Sequence, residues 1–211
     1  TFNLHSSLLP QYRGAAPINW AIINGEKETG VSTFFLQHEI DTGDLILQKS
    51  TPIGDTDKAG DVHDRLMFLG ADLVKKTVDL ILENKVVSIP QKNSEDLRPA
   101  PKIFKETCLI NWHSTTKDLY NFVRGLSPYP VAWFNLIKEN KEKINVKLYD
   151  SSMEIVSHTH KPGLIFTDQR TFLKVSTKDG YLHLLDLQFP GKKRTKTEDL
   201  LRGYDFTQMK I

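Results

Sequence analysis

The sequence predicts an α/β protein of two units: a front half of alternating strands and helices, and a back half with the pattern of a small β-barrel. Three observations lead to this prediction. Residues 1–88 alternate between β-branched or aromatic runs and helical periodicity. Residues 89–102 contain three prolines and almost no large apolar side chains, which is typical of an extended, solvated linker. Residues 103–211 contain closely spaced strand patterns.

The front half contains three predicted strands and two predicted helices. The first helix has Pro17 near its start and Gly25 where it stops, and the longer helix has apolar residues at helical spacing, with Asp57 or Asp61 near its start. The strands are expected at 2–5, 31–37 and 45–53, and the helices at 17–24 and 62–84.

The back half contains one short predicted helix, at 114–125, with a serine at its N-cap position and a glycine at its end. Asp179-Gly180 is a strong hairpin signal between the last two strands. The five strands are expected at 133–137, 144–149, 163–167, 172–177 and 181–189. Five strands and a helix in this length indicate a Greek-key barrel, of the oligonucleotide-binding (OB) type.

Composition excludes several classes of protein. Of 211 residues, 39% are hydrophobic and 26% charged, which is the globular range rather than that of a disordered chain. No apolar run approaches the roughly 20 residues that a bilayer span needs. Cys108 is the single cysteine, so an intrachain disulfide is excluded, and with no recognisable signal peptide we expect a cytoplasmic setting. The chain starts at Thr1, already in a strand pattern, so we expect a fragment.

The two halves differ in charge. Residues 1–102 contain 11 Lys or Arg against 14 Asp or Glu, and residues 103–211 contain 17 against 12. The net charges are therefore −3 and +5. A basic second half suits a polyanionic partner, although a soluble basic surface gives the same count.

The candidate chemistry begins in the first strand. Asn3 and His5 lie on one face of that strand because side chains alternate, while Phe2 and Leu4 point into the core. An amide and an imidazole together can polarise a carbonyl and move a proton, although a capped strand end has the same residues. In the later turn, Asp41 could reach His5 and fix its tautomer. An acidic, glycine-containing turn is equally an ordinary connection between strands.

The residues quoted above extend into a longer pattern. Asn3-Leu-His5, followed by Ser7-Leu8-Leu9-Pro10-x-Tyr-Arg-Gly and later by Asp41-Thr-Gly-Asp, resembles the two-part signature of folate-dependent formyltransferases. The resemblance implies that Asn3, His5 and Asp41 are catalytic. It implies that the loop beside the folate consists of Ser7, Leu8, Leu9 and Pro10. It further implies 10-formyltetrahydrofolate as the formyl donor, no metal, and a Rossmann-like sheet that is incomplete here, because about a hundred further residues are expected upstream.

The back half of the sequence indicates which branch of the family the chain resembles. Residues 122–133, Phe-Val-Arg-Gly-Leu-Ser-Pro-Tyr-Pro-Val-Ala-Trp, are similar to the opening of the C-terminal domain in the branch of the family that formylates methionyl-tRNA. The resemblance implies an OB-like tRNA-binding domain over 103–211, a catalytic part over 1–88 and a linker over 89–102. It implies formylation of methionyl initiator tRNA, and we expect a monomer. The basic residues expected to contact tRNA phosphates are Lys192, Lys193, Arg194 and Lys196, with Arg124 and Lys147 as weaker candidates.

Two other functions stay open on the sequence. A formyltransferase acting on an amino-sugar nucleotide would share the front motifs without needing the basic residues. The chain could also act as a tRNA-binding module without catalysis. Arg13, in the loop after the histidine, could contact an anion or brace the loop.

Overall fold

The computed structural model describes residues 1–92 and 96–211, and this chain divides into two compact units, Thr1–Ile103 and Phe104–Ile211. The first unit is a three-stranded sheet with helices. Its elements are β1 (Phe2–His5), α1 (Pro17–Ile23), β2 (Glu28–Phe35), β3 (Leu45–Pro52) and α2 (Ala59–Leu82). The mixed α/β class is confirmed, and each predicted element of this half is present.

The sheet of the first unit has the order β1-β2-β3 and both of its pairs are antiparallel. The family resemblance implies a Rossmann-like sheet, and the described strands of this unit contain no parallel pair. Helix α2 packs on one face of the sheet, where Leu4 approaches Gly70 so closely that a Cβ on Gly70 would lie 2.7 Å from it. The helix begins at Ala59, before the predicted residue, because the Asp61 carboxylate accepts the backbone N–H of Lys58 (2.8 Å) and caps its first turn.

The described residues of the predicted linker are mostly exposed, but the backbone of this segment is hydrogen-bonded to other parts of the first unit at several points. Ile89 pairs with Leu45 at the start of β3, and Ala100 is fully buried and hydrogen-bonded to the loop at 13–16. Residues 93–95 of the predicted linker lie outside the described residues. Proline and polar residues favour an extended backbone, but they do not determine whether its N–H and C=O groups bond to water or to a neighbouring loop.

The second unit is a curled antiparallel sheet with short helices. A 3₁₀ turn (Glu106–Cys108) precedes α3 (Thr116–Leu126), β4 (Ala132–Ile137), β5 (Lys143–Ile155), β6 (Ile165–Thr167), β7 (Leu173–Ser176), β8 (Gly180–Gln188), β9 (Thr195–Lys196) and α4 (Thr197–Leu200). The strand order is β4-β5-β8-β7-β6, with β9 on β8. All five predicted strands are present. Within the described chain no ladder joins β4 to β6, so the predicted barrel is not closed by strand pairing.

The turn at Asp179 links two elements of the second unit. It connects β7 to β8, as the hairpin signal predicts, and its carboxylate also accepts the Thr116 N–H (2.7 Å) at the start of α3. The N-cap of α3 is Thr115 rather than the predicted serine, since the Thr115 hydroxyl accepts the Asp118 N–H. No helix in either described range is both long and apolar enough to cross a bilayer.

Candidate active site and basic surface

His5, the last residue of β1, is held in one orientation by a backbone carbonyl. Its side chain is 7% exposed, and Nε2 lies 2.8 Å from the carbonyl oxygen of Tyr12. A carbonyl oxygen only accepts hydrogen bonds, so Nε2 carries a hydrogen and donates. The other ring nitrogen, Nδ1, is therefore the one available for chemistry.

Asp41 lies next to that second nitrogen. Its Oδ2 is 3.6 Å from His5 Nδ1 and accepts the backbone N–H of Gly14 at 2.9 Å. The imidazole and the carboxylate are thus within ion-pair distance but beyond hydrogen-bond distance. The structure brings Asp41 to His5 as the sequence predicted. The predicted means of fixing the tautomer is wrong, because the Tyr12 carbonyl does this and not Asp41.

Asn3 shares the site by its position in the strand. It is two residues before His5 in β1 and is exposed, whereas Leu4 between them packs against the core of the first unit. Alternation along β1 places Asn3 and His5 on the same face. The structure therefore gives an exposed amide beside the buried imidazole.

The loop predicted to contact the folate has two buried side chains and two partly exposed ones. Ser7 and Leu9 are buried; the Ser7 hydroxyl donates to the Gln11 carbonyl (2.6 Å), and the Leu9 N–H donates to the Ser32 hydroxyl (3.1 Å). Leu8 and Pro10 are partly exposed. The side chains of Ser7 and Leu9 therefore shape the loop, and those of Leu8 and Pro10 are the ones that a ligand can touch.

The Tyr12 carbonyl and the Gly14 N–H contribute to the site through the backbone, which the sequence does not predict. The backbone of Tyr12 is in the left-handed region, with φ 60°. Its phenol donates a hydrogen bond to Glu26 (2.6 Å). The pKa of Tyr12 is raised, mainly by burial and to a smaller extent by this hydrogen bond. A backbone carbonyl or N–H leaves no residue-type pattern in a sequence. The only available signal was that both residues fall inside the longer motif.

Most of the predicted basic residues are exposed on the second unit, and some of them are paired with a carboxylate. Lys192 and Lys193 are exposed on the turn after β8, and neither makes an ion pair with another residue of the described chain. Lys147 is exposed beside this turn and, with Lys105 and Pro190, lines an open cavity of about 350 Å³. Lys105 was not predicted, because it stands alone among residues of mixed character.

Arg194 and Lys196 are exposed but already neutralised in part. The Arg194 guanidinium lies 2.8 Å from Asp186 Oδ2 and 4.5 Å from the centre of the Tyr149 ring, while Lys196 Nζ lies 3.5 Å from the same carboxylate oxygen. The hydrogen bond to the buried Asp186 raises the pKa of Arg194. The pair therefore supplies about one net positive charge.

Arg124 is the one predicted tRNA contact that the structure contradicts. It is 5% exposed, and its Nε donates to the Asn121 side chain (2.9 Å) within α3. The residues around it in the helix, such as Val123 and Leu126, are also buried. A count of charges does not show which helix face a charge occupies, so the sequence prediction placed it wrongly. In the two described ranges, no three His, Cys, Asp or Glu side chains are grouped to hold a metal.

Comparisons with known proteins show which family the two units resemble. The family model described as formyl transferase matches residues 1–78, and the model described as formyl transferase, C-terminal domain, matches residues 102–205. A relative from Bacteroides fragilis, named methionyl-tRNA formyltransferase, is 58% identical over 211 residues, covering 99% of this chain and 65% of the relative. The chain thus spans about two thirds of that relative's length.

Two solved structures show the same fold. HypX from Aquifex aeolicus in complex with tetrahydrofolic acid has a TM-score of 0.67 at 20% identity, over 100% of this chain and 38% of that one. WlaRD, a sugar 3N-formyl transferase solved in the presence of dTDP and 5-N-formyl-THF, has a TM-score of 0.66 at 24% identity, over 91% of this chain and 66% of that one. With both units matched by its models and a relative at 58% identity, the chain belongs to the formyl transferase family.

Proposed function

We propose that the protein containing this chain transfers the formyl group of 10-formyltetrahydrofolate to the α-amine of methionyl initiator tRNA, in translation initiation in the cytoplasm. The observation that carries the proposal is the pairing of His5 with Asp41, with Nδ1 turned to the carboxylate and Nε2 fixed by a carbonyl. The 58% identity to a protein named methionyl-tRNA formyltransferase supports the choice of acceptor.

The proposed reaction needs an oxyanion site and a proton acceptor. The amine nitrogen attacks the formyl carbon, a C–N bond forms, and negative charge develops on the formyl oxygen. Asn3, exposed at the site, donates a hydrogen bond to that oxygen. His5, whose Nε2–H is bonded to the Tyr12 carbonyl, donates to the same oxygen from Nδ1 in its protonated, imidazolium form. The bond to N10 of the donor then breaks, and tetrahydrofolate leaves with the proton that the amine has lost.

Asp41 is the proposed proton acceptor. The 3.6 Å gap to His5 leaves Oδ2 able to receive a proton from the attacking nitrogen, while the Gly14 N–H holds the carboxylate in place. Leu8 and Pro10 are the loop side chains proposed to contact the folate, on the framework that Ser7 and Leu9 provide.

The basic surface is the proposed contact for the tRNA backbone. Lys192, Lys193 and Lys147 are exposed, and Arg194 with Lys196 adds about one further charge. We propose that this surface belongs to an OB-like barrel, and that the sheet of the first unit is part of a Rossmann-like sheet. The curled order β4-β5-β8-β7-β6 supports the barrel, and the fold similarity to larger formyltransferase structures supports the sheet.

Replacement of Asp41 tests the assignment. Asp41→Asn keeps the shape and an acceptor for the Gly14 N–H but removes the basic oxygen, so turnover in the full-length protein should fall by about a hundredfold or more. Steady-state rates on methionyl initiator tRNA give the measurement, with circular dichroism to check folding. Turnover within a few-fold of the unsubstituted protein would reject the role of Asp41.

A formyltransferase acting on an amino-sugar nucleotide is the second candidate, favoured by the fold shared with a sugar 3N-formyl transferase. The two acceptors can be offered to the same protein preparation. Formylation of the sugar nucleotide, with none of the methionyl-tRNA, would reject the first proposal.

A further inference from the structure

We propose that Gln91 is a positioning residue that holds the two active-site loops against each other; the inference rests on the proposed function, since it is there that His5 and Asp41 react. Gln91 belongs to the segment that is predicted to be a solvated linker. In the structure its side chain lies between the loop that follows β1 and the loop that precedes β3.

Every polar atom of the Gln91 amide is used. The Nε2 group donates to the carbonyl oxygens of Asp41 and Gly43, both at 2.8 Å. The Oε1 atom accepts from Arg13 Nε (3.1 Å) and Nη2 (2.7 Å). A guanidinium only donates and a backbone carbonyl only accepts, so only one orientation of the amide satisfies all four bonds.

The hydrogen bonds of Gln91 reach the segments on both sides of the His5 and Asp41 pair. Arg13 follows Tyr12, whose carbonyl orients His5, and precedes Gly14, whose N–H holds the Asp41 carboxylate. Gln91 therefore joins the segment that holds His5 to the segment that contains Asp41. The Arg13 guanidinium, expected either to contact an anion or to brace the loop, braces the loop here by donating to Gln91.

The loop before β3 needs such support. Asp41 has φ 55°, in the left-handed region that costs energy for a residue with a side chain. Gly43 approaches β2 so closely that a Cβ would lie 1.6 Å from the Phe35 carbonyl oxygen. The conformation that points the Asp41 carboxylate at His5 is thus maintained by contacts from outside the loop, and the two bonds from Gln91 are among them.

Gln91 is itself fixed in place. Two residues earlier, Ile89 exchanges both backbone hydrogen bonds with Leu45, the first residue of β3 (2.8 and 2.9 Å). The side chain therefore extends from a backbone already attached to the sheet. A rigid support of this kind is what a positioning residue requires.

Two substitutions in the full-length protein test the role. Gln91→Glu keeps the length and an acceptor for Arg13, but it presents a carboxylate oxygen to the Asp41 and Gly43 carbonyls, which cannot donate to it. Gln91→Met removes both sets of bonds at similar volume. We expect kcat for methionyl-tRNA to fall about tenfold in either variant, with KM for the tRNA changed by less than about twofold. Gln208→Glu, the same change at an exposed position, is the control.

A second measurement does not depend on activity. Hydrogen exchange of the Gly14 amide reports its bond to Asp41, and it should be about tenfold faster in both variants while exchange in α2 is unchanged. Normal Gly14 exchange in either folded variant would overturn the proposal, whatever the rates. If the unsubstituted protein formylates no acceptor, the proposed function fails, and Gly14 exchange still decides whether Gln91 holds the loops.

Discussion

Replacing Lys192 and Lys193 together by glutamine should reduce both the affinity for methionyl initiator tRNA and its dependence on salt. Both lysines are exposed on the turn after β8 and free of ion pairs in the described part of the chain, so their charges are available to phosphates. Each phosphate contact releases condensed counterions, which makes the logarithm of the affinity fall linearly with the logarithm of the salt concentration.

The expected magnitude follows from the number of contacts. One phosphate per lysine contributes about 0.9 to the slope for a duplex, so the double variant should lose about 1.8. A fourfold rise in salt should therefore weaken the unsubstituted protein about tenfold more than the variant. Arg194 and Lys196, which share Asp186, should together give a smaller change than this pair.

Fluorescence titrations at several salt concentrations would measure the slope for the full-length protein. The matched control is Lys75→Gln with Lys76→Gln, two adjacent exposed lysines on α2. Arg124→Gln is a second comparison, because that side chain is buried and should alter stability without altering the slope. An unchanged slope in the Lys192 and Lys193 variant, or an equal loss in the α2 control, would refute the reasoning.

Two further predictions concern stability. Gly43→Ala should lower the free energy of unfolding by about 2 kcal/mol or more, since the new Cβ would meet the Phe35 carbonyl; an unchanged urea midpoint would contradict this. Hydrogen bonds from Lys174 and then His183 lower the pKa of Glu154, so its contribution is complete above the unfolded pKa of about 4.3 and is lost as the pH falls through the lower folded value. Stability below about pH 5 should therefore decline less steeply in Glu154→Gln, and parallel profiles would be evidence against the ion-pair contribution.

The elements of both units could be predicted because their signals are local. Proline at the start of α1, helical spacing in α2 and the Asp179-Gly180 turn each depend on a few neighbouring residues. Pairing depends on residues distant in the chain, which explains why the antiparallel β1-β2 pair was not anticipated. The short β9 and α4 were missed because two and four residues are too few for a periodic pattern.

The candidate site was only partly predictable for a similar reason. His5 and Asp41 could be named because their side chains supply the chemistry and fall within a known motif. The Tyr12 carbonyl and the Gly14 N–H act through the backbone, which carries no residue-type signal. Gln91 lies about 80 residues from Arg13 in a segment of linker-like composition, and only the folded chain shows that the two are bonded.

Transfer of a labelled formyl group in a single turnover tests the central claim most directly. The full-length protein, in excess over methionyl initiator tRNA, would be mixed with 10-formyltetrahydrofolate labelled in the formyl carbon, and the methionine released from the tRNA analysed by mass spectrometry. The proposed roles of His5 and Asp41 predict rapid appearance of N-formylmethionine, slowed about a hundredfold or more in Asp41→Asn. Two results would contradict these roles: methionine without the labelled formyl group after reaction with the unsubstituted protein, or an equal rate of N-formylmethionine formation in Asp41→Asn.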